Sequence, residues 1–372
     1  VPYDSTALLA DLPTGLLSEE LTRPSRTLNL TGRFQQKLTE THNLMGEFQN
    51  NSSRQDGLGI GGFDLPDRAY SQQQSETLIR FRDTGLLTKR LVNEVLFQYR
   101  GADVRQSPVT NGPAVIVLDS FNDAGAQLVS DRKSSEVMFA DNIDFASSNH
   151  SMRVGVLTEV DRYHTRDLQN AGGTFIFSSL QDFRAGRPAT FTQRAGDPNI
   201  SFGQDQVGLY FEDDVRLRKN LTLSWGLRYE LQTHVPDHHS VSPRFGLAWA
   251  PTADGKLVIR AGAGIFYAWV PSQVYEQTLL VNGIRQHDIV VTNPGFPNPM
   301  ASGILVSLPP SVIEQSPDLT LPYVEECSIS AQRELPKGFS LSANYDYRHG
   351  VHLLRSHNLN APLFPGAALP DP

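Results

Sequence analysis

Between Gln206 and Trp269 the chain alternates apolar and polar residues with a period of two, for longer than an ordinary soluble strand does. From Leu221 the apolar set is Leu221, Leu223, Trp225, Leu227, Tyr229 and Leu231, and the residues between are Thr222, Ser224, Gly226, Arg228 and Glu230. The segment before it sets Val207, Leu209, Phe211, Val215 and Leu217 against Gln206, Gly208, Glu212, Asp214 and Arg216. A later one sets Leu257, Ile259, Ala261, Ala263, Ile265, Tyr267 and Trp269 against Arg260, Gly262 and Gly264. Successive strand residues point to opposite faces, so each segment is a strand with one oily and one wet side. About 9–11 tilted residues cross a bilayer, whereas soluble strands usually run about 5–6. The pattern predicts an all-β fold, an antiparallel transmembrane β-barrel.

The totals fit that reading and exclude others. A chain of 372 residues has room for a few soluble domains or for much of one large barrel. No window of about eighteen residues is predominantly apolar, which excludes a helical membrane protein. The longest uncharged stretch, around Ile289 to Ile313, is broken by Pro294, Pro297 and Pro299. A mean hydropathy of −0.31 does not argue against a barrel, whose inward residues are polar. Net charge is −8, and no basic run exceeds two residues, as at Arg132-Lys133, so nucleic acid is not an expected partner. The single cysteine, Cys327, excludes an internal disulfide and a cysteine metal cluster. Val1-Pro2-Tyr3-Asp4 has neither a basic nor an apolar leader region, so the chain reads as an internal piece.

Strand candidates come in pairs with short connections. They are Thr27–Gln36 with His42–Asn50, Thr77–Arg82 with Lys89–Arg100, and Ser135–Phe145 with His150–Arg162. Further on come Val207–Leu217 with Leu221–Leu231, Arg244–Trp249 with Leu257–Trp269, and Glu325–Arg333 with Phe339–Tyr347. Between the pairs lie long stretches rich in Gly, Pro, Asn and Ser: Asn51–Gln72, Gly101–Ser134, Tyr163–Asp205 and Val270–Val324. Short turns at one end and long loops at the other are the asymmetry of outer-membrane barrels, with the short turns periplasmic. Tyr229, Tyr267, Trp269, Tyr345 and Tyr347 then fall at the outer lipid interface, and Trp249 and Phe339 at the inner one. Asp213 falls on the lipid face beside a periplasmic turn, where it is expected to reach headgroups. About 12–14 strands are expected, too wide and too open a sheet to be a whole barrel. Residues 1–26 read as an irregular lead-in, 27–360 as the barrel segment, and 361–372 as a proline-rich end.

Three blocks resemble the TonB-dependent receptor family, in particular its Oar-like acidobacterial type. The first is Gln206 to Glu230, where Tyr210-Phe211-Glu212-Asp213 leads into Asn220-Leu-Thr-Leu-Ser-Trp-Gly-Leu-Arg-Tyr-Glu230. The second is Ser242-Pro-Arg-Phe-Gly-Leu-Ala-Trp-Ala-Pro251, continuing into Ile259-Arg-Ala-Gly-Ala-Gly-Ile-Phe-Tyr267. The third runs from Tyr323-Val-Glu-Glu326 through Gln332-Arg-Glu-Leu-Pro-Lys-Gly-Phe-Ser340 to His349-Gly-Val-His-Leu353. Gly59-Ile-Gly-Gly-Phe-Asp-Leu-Pro66 is similar to an external-loop element of the same group. The resemblance implies a barrel segment of a larger, 22-stranded receptor for an unidentified solute in the outer membrane of a Gram-negative bacterium. It also implies as partners outer-membrane lipid, an extracellular ligand, a plug domain and the TonB complex. The family's signal peptide, TonB box, plug and aromatic C-terminal strand have no counterpart in this sequence.

Among chemistry-bearing residues, His234-Val-Pro-Asp-His-His239 is the most ligand-like: His234, Asp237, His238 and His239 are candidates for metal or solute binding. The wet-face cations Arg228, Arg244 and Arg260 are candidates for contact with a polar solute or a plug, or for ion pairs lining a watery lumen. His349, His352 and His357 form a second, looser group. No catalytic motif of the His-Glu-x-x-His, Gly-x-Ser-x-Gly or phosphate-loop type occurs, and neither an enzyme nor a bound cofactor is expected. The rival functional readings are a non-transporting outer-membrane surface protein, either an adhesin or a secretion-linked barrel, and a soluble all-β protein.

Overall fold

The computed structural model describes residues 3–306 and 311–359, and the expected proline-rich end at 361–372 lies outside them. The wall begins with β1 (Tyr3–Leu12), β2 (Gly15–Lys37), β3 (His42–Leu58), β4 (Tyr70–Thr88) and β5 (Leu91–Pro108). The chain then leaves it for the short β6 (Ala114–Val117) and β7 (Phe121–Ala124) and returns as β8 (Ser130–Ala146) and β9 (His150–Asp167). A second excursion carries β10 (Thr174–Phe177), the helical turn α1 (Leu180–Arg184) and β11 (Thr190–Gly196). Four wall strands follow: β12 (Asn199–Arg218), β13 (Leu221–Gln232), β14 (Val241–Trp249) and β15 (Leu257–Tyr267). A third excursion holds helix α2 (Ser272–Leu280), β16 (Gln286–Thr292) and β17 (Ile304–Val306), before β18 (Tyr323–Glu334) and β19 (Ser340–Val351) finish the wall.

The wall is one antiparallel sheet of thirteen strands in sequence order. It contains the twelve candidate segments, although β5 begins at Leu91, two residues after Lys89, β19 begins at Ser340, one after Phe339, and β15 stops at Tyr267, two short of Trp269. Among the described residues it does not close. β19 pairs only with β18, and residues 25–37 of β2 pair only with β3, because β1 runs alongside just the first ten residues of β2. Open edges of this kind have no hydrogen-bond partner in hydrocarbon, so the sheet is part of a barrel and not a whole one.

The two faces separate by chemistry. Phe34, Phe81, Phe97, Phe139, Leu209 and Leu227 are all well exposed on the outer face, as suits contact with lipid. On the inner face one register row runs Arg33–Glu47–Arg80–Gln98 across four strands. Arg33 Nε donates to Glu47 at 2.9 Å, Arg80 Nε donates to Gln98 at 2.9 Å, and Gln98 Nε2 passes the chain on to Glu136 at 3.0 Å. Such cross-strand pairs satisfy the polar side chains that line a barrel interior. Gly155 is required here: a Cβ would lie 2.5 Å from the Tyr210 ring, which crosses it to reach Asn142. Asp213 departs from expectation. It is 4% exposed and its Oδ2 is 2.8 Å from His150 Nδ1, so a neighbour on β9 covers the charge instead of headgroups.

The larger departures lie at the long-loop end. Residues 1–26 are expected to be an irregular lead-in, but the described part, from residue 3 on, forms the β1–β2 hairpin. β12, at 20 residues, is about 65 Å long at roughly 3.3 Å per residue, twice what lipid needs. The stretches expected as loops supply a second, six-stranded sheet in the order β17-β16-β11-β10-β6-β7. It packs on Leu8, Ala10, Leu17 and Leu21, side chains in register with the inner face of β2, so it covers the inward side of the rim. Its core is Val117, Phe121, Phe175, Phe177, Phe191 and Val291. Gly62 and Phe63 stitch it to the wall, hydrogen-bonding β1 through Ala7 and Leu9 and β7 through Asn122.

Fully buried Phe177 sits at the centre of this cap and meets Phe183 and Phe296 edge-on. Phe177→Ala is expected to cost the cap about 3–5 kcal/mol. Hydrogen exchange in β10, β11 and β16 should then accelerate while β4 and β5 stay protected. Unchanged protection of the cap would contradict a core centred on this ring.

Candidate functional site

The inward-folded third excursion narrows the mouth, and its anchor is helix α2. Val270, just before the helix, is gripped by the wall: its N–H donates to Gln232 Oε1 at 2.8 Å, and its carbonyl accepts from Gln232 and Gln204 at 2.8 and 3.2 Å. Glu276 on the helix is 5% exposed. It accepts from Thr165 Oγ1 of β9 at 2.7 Å and pairs with Arg132 of β8 at 2.7 Å. Tyr275, beside it, stacks on His234 with ring centroids 3.6 Å apart and meets Phe202, which in turn stacks on Tyr163. Val235, Val270 and Leu321 form a small apolar core under the same segment. At the far side Arg285 reaches Asp197 at 3.1 Å and the Asn199 carbonyl at 2.6 Å. Hydrogen bonds from Asn199, with help from Arg285, hold the Asp197 carboxyl below the usual range.

These interactions account for much of the histidine cluster. His234 takes a left-handed backbone with φ 64°, and its Nε2 lies 2.7 Å from the Gly203 carbonyl while its own carbonyl accepts from Gln315. Asp237 turns back on its own loop, accepting from the His239 N–H at 2.9 Å with the His239 ring at 3.2 Å. His238 is exposed, and its carbonyl accepts from the Tyr229 hydroxyl at 2.9 Å. His239 and Asp237 are thus brought together, whereas the His234 ring is turned into the wall beneath α2.

The predicted arginines lie on the inner face below this mouth. Arg228 donates to Glu230 at 2.8 Å and lies over the Tyr210 ring. Arg244 sits 4.6 Å over the Phe266 ring with Glu212 at 3.8 Å, and its buried Nε has no acceptor. Arg260 is exposed and makes no ion pair among the described residues. Arg228 is therefore committed to its neighbours, whereas Arg244 and Arg260 make no side-chain hydrogen bond among the described residues. A separate group, Glu136, Glu159 and Asp161, brings three carboxylates within 4.8 Å of one another on the inner wall. Gln98 and Arg100 already serve Glu136, and Tyr163 donates to Asp161 at 3.3 Å.

Sequence reasoning missed Arg132, Thr165, Tyr275 and Glu276. The available signal was Glu276 in the short, otherwise uncharged run Ser272–Leu280, an acid with no local partner.

A family model described as outer membrane beta barrel domain matches residues 11–239 and 232–371. No curated protein matches the chain. Among solved structures, the siderophore receptor PirA from Pseudomonas aeruginosa aligns at a TM-score of 0.52 and 13% identity, over 87% of this chain and 45% of its own. A mutant of the ferric enterobactin receptor PfeA from the same organism aligns at 0.52 and 12%, over 88% and 43%. The ferric yersiniabactin uptake receptor FyuA from Yersinia pestis aligns at 0.50 and 9%, over 93% and 48%. The chain spans less than half the length of each, and at these identities the likeness is one of fold.

Removing one partner of a buried ion pair costs about 3–5 kcal/mol, and the partial exposure of Arg132 puts Glu276→Gln near the lower end. Hydrogen exchange over residues 272–280 should rise by about a hundredfold while β9 keeps its protection. An unchanged rate would mean that the helix is held by its apolar contacts alone.

Proposed function

Because the chain belongs to the outer membrane beta barrel domain family and so lies in the outer membrane of a Gram-negative bacterium, we propose that it is the barrel segment of a TonB-dependent receptor taking up a scarce solute. The observation that carries this is the mouth. Strands twice bilayer length raise a rim whose loops fold inward and are bolted to the wall by the Glu276–Arg132 pair and the Phe177 core. A pore for small solutes has no need of so large a rim, whereas capture of a bulky ligand outside the membrane does. The fold likeness to siderophore receptors supports the same reading.

In this mechanism the ligand is caught at the mouth and passes down an inner wall lined by Arg228, Arg244 and Arg260. An anionic chelate would find in Arg244 a partly exposed cation with no side-chain hydrogen bond among the described residues, and charge-assisted hydrogen bonds to such a group are the strong ones. A plug domain within the full-length chain would block the lumen, and the TonB complex would pull it aside. Nothing in the residues described calls for bond-breaking chemistry. The likeness to iron receptors makes a ferric chelate the first solute to try. The Oar-like subtype rests on the sequence blocks at 206–230, 242–267 and 323–353.

The test is accumulation of labelled ferric siderophores by cells expressing the full-length protein, with and without an energised inner membrane. Energy-dependent accumulation is expected for at least one chelate, and Arg244→Ala should weaken its binding about tenfold, near 1.4 kcal/mol. Binding at the surface without accumulation under either condition would favour the non-transporting surface protein.

A further inference from the structure

The outer, lipid-facing side of the wall carries a recess that the receptor reading does not use. Register and alternation give both its face and its height. Ile79, Tyr99, Val137 and Val160 stand opposite one another across β4, β5, β8 and β9, in line with Phe97 and Phe139 of the exposed apolar band. One pair further out, the same face reads Thr77, Gly101, Ser135 and Arg162. The next row is Ser75, Asp103, Lys133 and His164. The change from hydrocarbon-compatible to charged side chains is thus complete within a single step along four neighbouring strands. An open cavity of about 570 Å³ lies on that boundary, lined among others by Thr77, Tyr99, Gly101, Lys133, Arg162 and His164.

Its geometry is that of a prepared anion site. Gly101 keeps the floor low: a Cβ there would come within 2.9 Å of the Tyr99 hydroxyl, which lies across it. Arg162 is held from behind, its Nη1 donating to the Asp161 carbonyl and to Asp205 Oδ1, each at 2.7 Å. His164 is steadied by Ser201, with Nδ1 and Oγ 2.8 Å apart. The Lys133 ammonium makes no hydrogen bond, and its nearest carboxylate oxygen, on Asp103, is 3.8 Å away. Two cations, each with a carboxylate beside it (Asp205 on Arg162, Asp103 on Lys133), and three aliphatic hydroxyls, from Ser75, Thr77 and Ser135, therefore meet where the apolar band ends.

At that height the neighbours are lipid headgroups, and a guanidinium and an ammonium beside hydroxyl donors suit a phosphate. Below the recess, Val137 and Val160 continue into the apolar strip of Phe139 and Val154, a path for acyl chains. A soluble anion would gain nothing from that strip. We propose that the recess binds the phosphorylated headgroup of an outer-leaflet glycolipid, with its acyl chains lying down the outside of β8 and β9.

The full-length protein, embedded in nanodiscs containing a phosphorylated lipid A, is extracted and the retained lipid counted by native mass spectrometry. The same is done with lipid A stripped of its phosphates. Lys133→Gln with Arg162→Gln is expected to lower retention of the phosphorylated form roughly thirtyfold, the effect of two interfacial cations. Wild-type protein should retain the dephosphorylated form no better than that variant does. Arg218→Gln with Lys219→Gln removes the same charge at a periplasmic turn and should leave retention unchanged. Should the double variant at the recess fail to fold, as judged by heat-modifiable migration, Lys133→Gln alone is scored against a roughly fivefold fall. Equal retention by wild type and the recess variant, or equal retention of both lipid forms, would overturn the proposal.

Discussion

A peptide group in hydrocarbon has no water to bond, so every N–H and C=O in the bilayer must be answered by a neighbouring strand. That requirement fixes the wall. Thirteen strands lie side by side in sequence order because each hairpin satisfies its own ladder before the next is laid down. The one-sided pairing of β19 and of the lower part of β2 marks where further strands must join. Nothing in the side chains could compensate for those edges, since the side chains point up and down from the sheet and not along it.

With the backbone settled, the sequence is free to vary by face and by height. Inside, charged residues are tolerated along the whole strand because they pair in rows, as Arg33, Glu47, Arg80 and Gln98 do. Outside, the same strands are apolar only as far as the Ile79–Tyr99–Val137–Val160 row. Past it both faces meet water, unless something folds against them. On β1 and β2 the cap does, and there Leu8, Ala10, Leu17 and Leu21 reappear on the inward face. Apolar residues thus mark lipid on one side of the sheet and the cap on the other.

This explains what could be read from the sequence and what could not. The period of two is visible only where one face is wet and the other dry, so Leu221–Leu231 was plain and the strand was placed correctly. In the overhang, Asn51-Ser-Ser-Arg-Gln-Asp56 and Ser71-Gln-Gln-Gln-Ser75 are polar on both faces, and they read as loop although they are strand. The cap strands fail for the opposite reason. Ala114-Val-Ile-Val117 and Thr174-Phe-Ile-Phe177 are short apolar runs buried within the small sheet, and four residues are too few to establish any period. Among the candidate residues, the arginines were placed on the correct face by alternation alone. The histidines were chosen by composition, and composition could not reveal that Tyr275, 41 positions after His234, would lie flat against its ring.

The way the rim is fastened bears on how a receptor of this kind could open. The cap is attached at two separate places, by an apolar core on β1 and β2 and by α2 on β8, β9 and β12. Releasing either would expose aromatic rings or strand a buried carboxylate, each costing a few kcal/mol. Thermal motion alone will rarely supply both at once. A mouth held this firmly selects by shape and by the groups it presents rather than by closing over its ligand. In the proposed receptor the moving part must then lie deeper than the rim, where a plug fills the lumen and where the inner wall offers charged pairs that can exchange partners at little cost.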